Sequence, residues 1–159
     1  MGDKMKTLYL LRHAKSSWDD SRVSDFDRPL NNRGRREAEK IAEYMKENKY
    51  IPEYIICSTA KRTRETLDLI LNIIKFGGEV IYLDNLYLAS SSGIEREIDS
   101  IRAESLLVVG HNPGIEDYLS NLVGEELIMK TSHLAVIDFE KKILKDFVRP
   151  RDFGGGVGD

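Results

Sequence analysis

Cysteine is nearly absent. Cys57 is the only one in 159 residues, so no internal disulfide can form. It closes the apolar run Tyr54-Ile55-Ile56-Cys57, where a thiol reads as a small buried hydrophobe rather than a reactive group. No apolar stretch approaches the roughly 20 residues that a membrane-spanning helix needs. The N-terminus has neither the apolar core nor the cleavage site of a secretory signal, so the expected location is cytoplasmic, with no membrane partner. Charge of one sign is not in excess either. A net charge of −3 gives no reason to expect nucleic acid as a partner. Histidine is scarce, with three copies.

What is present describes an ordinary globular chain. Hydrophobic residues make up 41% and charged residues 32%, and the length suits one domain with a core that needs no staples. The pattern predicts strands at 7–11, 54–57, 79–83 and 106–109. It predicts helices at 35–48, from Ser58 or Thr59 to about Lys75, at 93–102, and from Pro113 to about Val123. Ser58 or Thr59 is the expected cap of the second helix, and Pro113 suits a first helical position. Residues 134–139 and 143–148 read as a closing hairpin turning at Glu140-Lys141-Lys142. Alternating strands and helices imply an α/β three-layer sandwich with a mainly parallel sheet, helices on both faces and an antiparallel hairpin at the C-terminal end. The expected domain spans residues 1–150. Residues 151–159, rich in glycine, lack the strand and helix that a phosphate-cradling loop requires and read as a flexible tail.

The scarce histidines fall in telling places. Arg12-His13 follows the strand Thr7-Leu8-Tyr9-Leu10-Leu11, and His111 follows Ser105-Leu106-Leu107-Val108-Val109-Gly110. Ligands of open α/β sheets bind beyond the carboxyl ends of the parallel strands. A third strand end supplies Ser58-Thr59-Ala60-Lys61-Arg62-Thr63-Arg64. Arginine presents a planar fork of donors matched to phosphoryl oxygens, and helix N-termini after Ser58 and Asn112 would add backbone N–H groups. A neutral histidine can take a phosphoryl group on one ring nitrogen. Arg12, Arg62 and a protonated His111 would then steady the charge on the equatorial oxygens. Such a site calls for no cofactor and no metal. Zinc, the competing use of histidine, is disfavoured because His13, His111 and His133 lack ligand spacing and a cysteine pair.

These residues resemble a known pattern. Leu10-Leu11-Arg12-His13-Ala14 is similar to the Arg-His-Gly signature of the histidine phosphatase (phosphoglycerate-mutase-like) superfamily. Ser58 to Thr66 resembles its Ser-x-x-x-Arg-x-x-x-Thr motif, and Val109-Gly110-His111-Asn112 its third. The resemblance implies that His13 is the nucleophile and that Arg12, Arg62 and His111 complete the phosphate pocket. Ala14 departs from the usual glycine.

Within that superfamily, Arg12 to Trp18, Asp25-Phe26-Asp27-Arg28-Pro29-Leu30, Leu86 to Ser90 and His111-Asn112-Pro113-Gly114 resemble the SixA-type phosphohistidine phosphatases. That likeness implies a phosphorylated protein as substrate and partner. About 22 residues between Leu83 and Leu106 leave no room for the helical lid of larger relatives. A leaving-group acid is therefore unassigned. Asp84 is the candidate by position, and a strand-end turn is its plainer role. Ser16, Ser17, Ser58 and Asn112 are candidate substrate contacts. Arg28 and Arg33 extend a basic rim or pair with Asp25 and Asp27, while Trp18 and Phe26 pin the long loop or line the pocket mouth. The alternatives are a phosphatase of small phosphoesters and a non-catalytic module that binds phosphorylated partners.

Overall fold

The computed structural model describes residues 4–153, and the glycine-rich stretch 154–158 lies outside them. Six strands form one sheet: β1 (Thr7–Arg12), β2 (Tyr54–Ser58), β3 (Glu79–Leu83), β4 (Ser105–Gly110), β5 (Leu134–Asp138) and β6 (Ile143–Val148). Their order is β3-β2-β4-β1-β5-β6. The first four run parallel, and β5 and β6 each pair antiparallel with their neighbour. The chain leaves β1, builds β2 two places away and β3 beyond it, and returns to insert β4 between β2 and β1. That reversal puts the carboxyl ends of β1 and β4 side by side, where α/β sheets hold ligands.

Four helices cover the two faces. Helix α1 (Asn32–Glu47) and α2 (Lys61–Leu71) pack Ile41, Ala42, Met45, Leu67 and Ile70 onto Tyr9, Leu11, Ile55, Cys57, Leu107 and Val109. Helix α3 (Ser91–Asp99) and α4 (Gly114–Val123) pack Ile94, Ile98, Ile115 and Leu119 onto Leu8, Leu10, Ile56, Leu106 and Val108. The central strands are thus buried on both faces, which is why they read as continuous apolar runs rather than alternating ones. Burial pushes the Cys57 thiol up, consistent with an inert core residue. Among the described residues no helix is long and apolar enough to cross a membrane.

Helix boundaries differ from expectation where local caps decide them. Helix α1 begins three residues early because the Asn31 side chain accepts the Gly34 N–H at 2.8 Å. Helix α2 is capped by neither Ser58 nor Thr59. Ser58 is the last residue of β2, and Ala60 precedes the helix with no side-chain cap. It also ends at Leu71, where the chain tightens as Ile73 N–H donates to the Ile70 carbonyl at 3.0 Å. Helix α3 starts at Ser91 because Ser90 accepts the Gly93 N–H. Pro113 stands one residue before α4 rather than inside it. The boundary placed after residue 150 moves as well. Pro150–Asp152 forms a 3-10 turn, and the Phe153 ring lies 5.4 Å from Tyr44 and packs on the α1–α2 core.

The segment between β1 and α1 folds back on itself. Ser17 N–H donates to the Pro29 carbonyl and Asn31 N–H to the Lys15 carbonyl. Ala14, Leu30 and Ala38 form a small core beneath it. The methyl of Ala14 fills that core, which accounts for alanine where glycine is usual.

At the other end of the site Gly114 packs on the Ala89 carbonyl, and a methyl there would collide with backbone. Gly114→Ala is expected to destabilise the fold by about 1–3 kcal/mol, read as a lower urea midpoint with an unchanged slope.

Candidate active site

Strand register explains how the two strand-end histidines meet. Arg12 pairs with Gly110 across β1 and β4, so His13 and His111 follow at equivalent places. Their rings lie 5.3 Å apart. Cys57 pairs with Val109 across β2 and β4, which brings Ser58 beside Gly110. Arg62 rises from the first turn of α2 on the same side. Thr66, one turn further on, accepts the Ala14 N–H at 2.9 Å and donates to the Arg62 carbonyl at 2.7 Å. The second motif is thereby tied to the first.

Arg12, His13, Arg62 and His111 line one open cavity of about 230 Å³ together with Lys15, Ser16, Trp18, Asp25, Leu88, Asn112 and Thr131. His13 donates from Nδ1 to the Ala14 carbonyl at 2.7 Å. That bond fixes the tautomer and leaves Nε2 unprotonated, where it accepts the Arg62 Nε–H at 3.4 Å. Burial, reinforced by the Arg62 and Arg12 charges, lowers the His13 pKa to about 4, against the Ala14 hydrogen bond and the Asp25 charge, which raise it.

His111 is neutral in the free pocket, while the imidazolium expectation concerned phosphoryl transfer. Burial, then His13 and Arg62, push its pKa to about 3. Its Nε2 lies 2.8 Å from Ser58 Oγ, and Ser58 Oγ accepts the Ala60 N–H at 3.2 Å. Either atom can be the donor in that pair, and His111 Nδ1 is buried without a partner. A neutral His111 still carries one ring N–H.

The other expected contacts divide. Ser16 and Asn112 line the cavity. The Asn112 amide N–H donates to the Met129 carbonyl at 2.8 Å, and its Oδ1 is buried without a partner. Ser58 supports His111 from behind. Ser17 is turned away and accepts the Asp19 N–H. Asp84 is outside the cavity wall, where its carboxylate accepts from the Thr59 hydroxyl at 2.6 Å. The helix N-termini do not form the wall either. Lys61 N–H donates instead to the Phe26 carbonyl at 3.0 Å.

Trp18 stands at the mouth, 68% exposed, with the Arg28 guanidinium 3.7 Å above its ring. Arg33 pairs with Glu37 rather than with Asp25 or Asp27. His133 is structural: it is buried, accepts the Lys130 N–H on Nδ1, and packs on Phe147. Among the described residues no group of three or more His, Cys, Asp and Glu side chains is gathered to hold a metal ion.

Three participants were not read from the sequence. Asp25 takes both ends of Arg62, its carbonyl accepting from Nη1 at 2.6 Å and its Oδ2 from Nη2 at 3.1 Å. Tyr87 donates to the same Oδ2 at 2.5 Å. The Met129 carbonyl accepts from Arg12 Nη1 and from Asn112, and the Met129 N–H donates to Glu116. Glu116 thus sets the backbone that orients Arg12. All three come from segments remote in sequence, and a signal was carried only by the runs Asp25-Phe26-Asp27-Arg28 and Leu86 to Ser90, which contains Tyr87.

The fold and this cavity define an α/β protein of histidine-phosphatase type, with two arginines and two histidines at adjacent strand ends. The model of the histidine phosphatase superfamily (branch 1) matches residues 8–87, and the chain belongs to that superfamily.

An uncharacterised, chloroplastic protein of Arabidopsis thaliana is 33% identical over 143 residues, covering 83% of this chain. This chain spans 66% of that relative's length. A crystal structure assigned to the phosphohistidine phosphatase SixA of Agrobacterium tumefaciens superposes with a TM-score of 0.88 at 36% identity, over 93% of this chain and 100% of that one. The protein histidine phosphatase SixA complexed with tungstate shares the fold, with a TM-score of 0.81 at 20% identity, over 92% of this chain and 98% of that one.

Proposed function

We propose that the protein is a phosphatase working through a phosphohistidine on His13, and that its substrate is phosphohistidine on another protein. One observation carries the reading: the bond from His13 Nδ1 to the Ala14 carbonyl at 2.7 Å leaves a lone pair on Nε2 at the cavity. With a pKa near 4, that nitrogen is unprotonated and nucleophilic at neutral pH. Arg12, Arg62 and His111, which line the cavity, are the groups that steady the equatorial oxygens in transfer. Water then attacks phosphorus, the P–Nε2 bond breaks, and its electron pair returns to Nε2. The reading assigns no part to a cofactor or a metal ion.

The open mouth supports a protein substrate. Between β3 and β4 the chain holds a 3-10 turn (Asp84–Leu86) and α3, which packs against α4 and the sheet. Among the described residues no helical lid closes over the cavity, so a side chain carried on a folded partner can enter. Rapid denaturation during turnover should trap acid-labile, alkali-stable phosphate on the wild type. Failure to find it while phosphate is released would remove the covalent step. Side-by-side turnover of a phosphohistidine protein and small phosphoesters tests the substrate, and much faster ester hydrolysis would overturn it.

The pH profile has a definite sign. His13 must be unprotonated at Nε2, and its pKa is lowered, so activity persists well below the ordinary histidine range. Once corrected for ionisation of the substrate, the kcat/KM value, which reports the free enzyme, should be flat from pH 7 to about 5 and fall below about pH 4. A midpoint near 6.5 would contradict it.

A further inference from the structure

The pocket supplies the nucleophile and the cationic shell, and neither histidine is placed to protonate a departing group. Transfer is roughly in line, so the leaving atom sits on the far side of phosphorus from His13 Nε2, toward the open mouth. Trp18, Leu88 and Asp25 line the cavity, and Asp25, its side chain 48% exposed, is the one carboxylate among the described lining residues. Asp25 Oδ2 is occupied by Arg62 and Tyr87, while Oδ1 has no hydrogen-bond partner among the described residues. Tyr87 holds the carboxylate in place: its ring packs edge-on against Phe26 at 5.0 Å and His111 at 5.5 Å. The Tyr87 bond, with Arg62, also keeps Asp25 ionised by lowering its pKa. An ionised carboxylate cannot donate a proton to an ester oxygen, and it repels a departing anion.

We propose that Asp25 reads the leaving group: its free carboxylate oxygen accepts a hydrogen bond from the distal N–H of a phosphorylated imidazolium and so selects that group over phosphoesters. This rests on the phosphatase reading above. The step balances without an added acid. The lone pair of His13 Nε2 forms the new N–P bond. The substrate N–P bond breaks, and its electron pair returns to the substrate nitrogen. The distal nitrogen keeps its proton throughout, so the group departs as neutral imidazole. Without that proton it would leave as an imidazolide anion, a far poorer leaving group. A charge-assisted hydrogen bond from the imidazolium to Asp25 favours the protonated form just where transfer occurs.

The test compares free phosphohistidine with p-nitrophenyl phosphate on wild type and Asp25→Asn. The variant should lower kcat/KM for phosphohistidine by about tenfold to a hundredfold, the range of one charge-assisted hydrogen bond. It should raise kcat/KM for the aryl phosphate several-fold, because a negative charge leaves the path of an anionic leaving group. A residue that merely positioned Arg62 would shift both substrates by the same factor, and that result overturns the proposal while leaving the phosphatase reading intact. Wild type that turns over neither of these nor a phosphohistidine protein overturns the phosphatase reading itself.

Discussion

His13→Ala should lower kcat/KM by roughly 10⁴-fold or more and abolish trapped phosphate, the scale on which removing a covalent nucleophile acts. The size follows from how completely the site is built around one nitrogen. The ring is buried, its proton is committed to the Ala14 carbonyl, and Arg62 Nε approaches Nε2 at 3.4 Å. His111 cannot substitute, since its Nε2 is engaged by Ser58. The variant should remain folded, and acid titration supplies the control. The folded pKa of His13 is lowered to about 4, so the unfolded chain binds the proton more tightly. Wild-type stability is then unaffected above about pH 6.5 and declines as pH falls toward 4, by up to about 1.4 kcal/mol per pH unit from this group. His13→Ala should remove this group's share of the decline, while His111 and His133, whose pKa values burial also lowers, keep theirs. An inactive variant with an unchanged curve would argue that His13 is not buried neutral.

Strand ends were legible because they are local. A buried parallel strand announces itself as an apolar run, and the first polar residue after it marks the sheet edge. Arg12, His13, Ser58 and His111 could therefore be placed before the sheet order was known. The register Arg12–Gly110 then turns two separate strand ends into one site. Helix starts were less legible, because a single side-chain bond such as Asn31 to Gly34 decides them.

Asp84 and Asp25 show where sequence proximity fails. Asp84 follows β3, yet a hydroxyl from Thr59 holds it outside the cavity wall. Asp25 belongs to a loop whose position depends on contacts remote in sequence, such as Lys61 to Phe26 and Tyr87 to Asp25. No periodicity encodes such contacts. The charge of His111 in the free pocket likewise depends on contacts that the sequence does not show. A histidine beside arginines suggests a phosphate-binding imidazolium, but burial and those same positive charges keep the ring neutral until an anion arrives.

Arg62→Ala should produce the other large effect, a loss of about 10³-fold in kcat/KM, comparable to removing a preorganised donor to the transferring group. Its second signature separates electrostatics from packing. Arg62 lowers the His13 pKa, while Asp25 raises it. Removing the guanidinium therefore leaves the Asp25 carboxylate uncompensated near His13 Nε2, so His13 takes up a proton more readily. The acid limb of kcat/KM should move upward from about pH 4 toward the ordinary histidine range. Arg62→Lys should recover little rate. One ammonium cannot reach His13 and both Asp25 acceptors as the planar fork does, although it restores positive charge and should draw the acid limb part of the way back. Adding Asp25→Ala to Arg62→Ala removes the uncompensated carboxylate, so the limb should return toward pH 4 while the rate stays low. If the acid limb stays fixed across all three variants, charge at Arg62 does not tune the nucleophile, and its contribution is contact with the phosphoryl group alone.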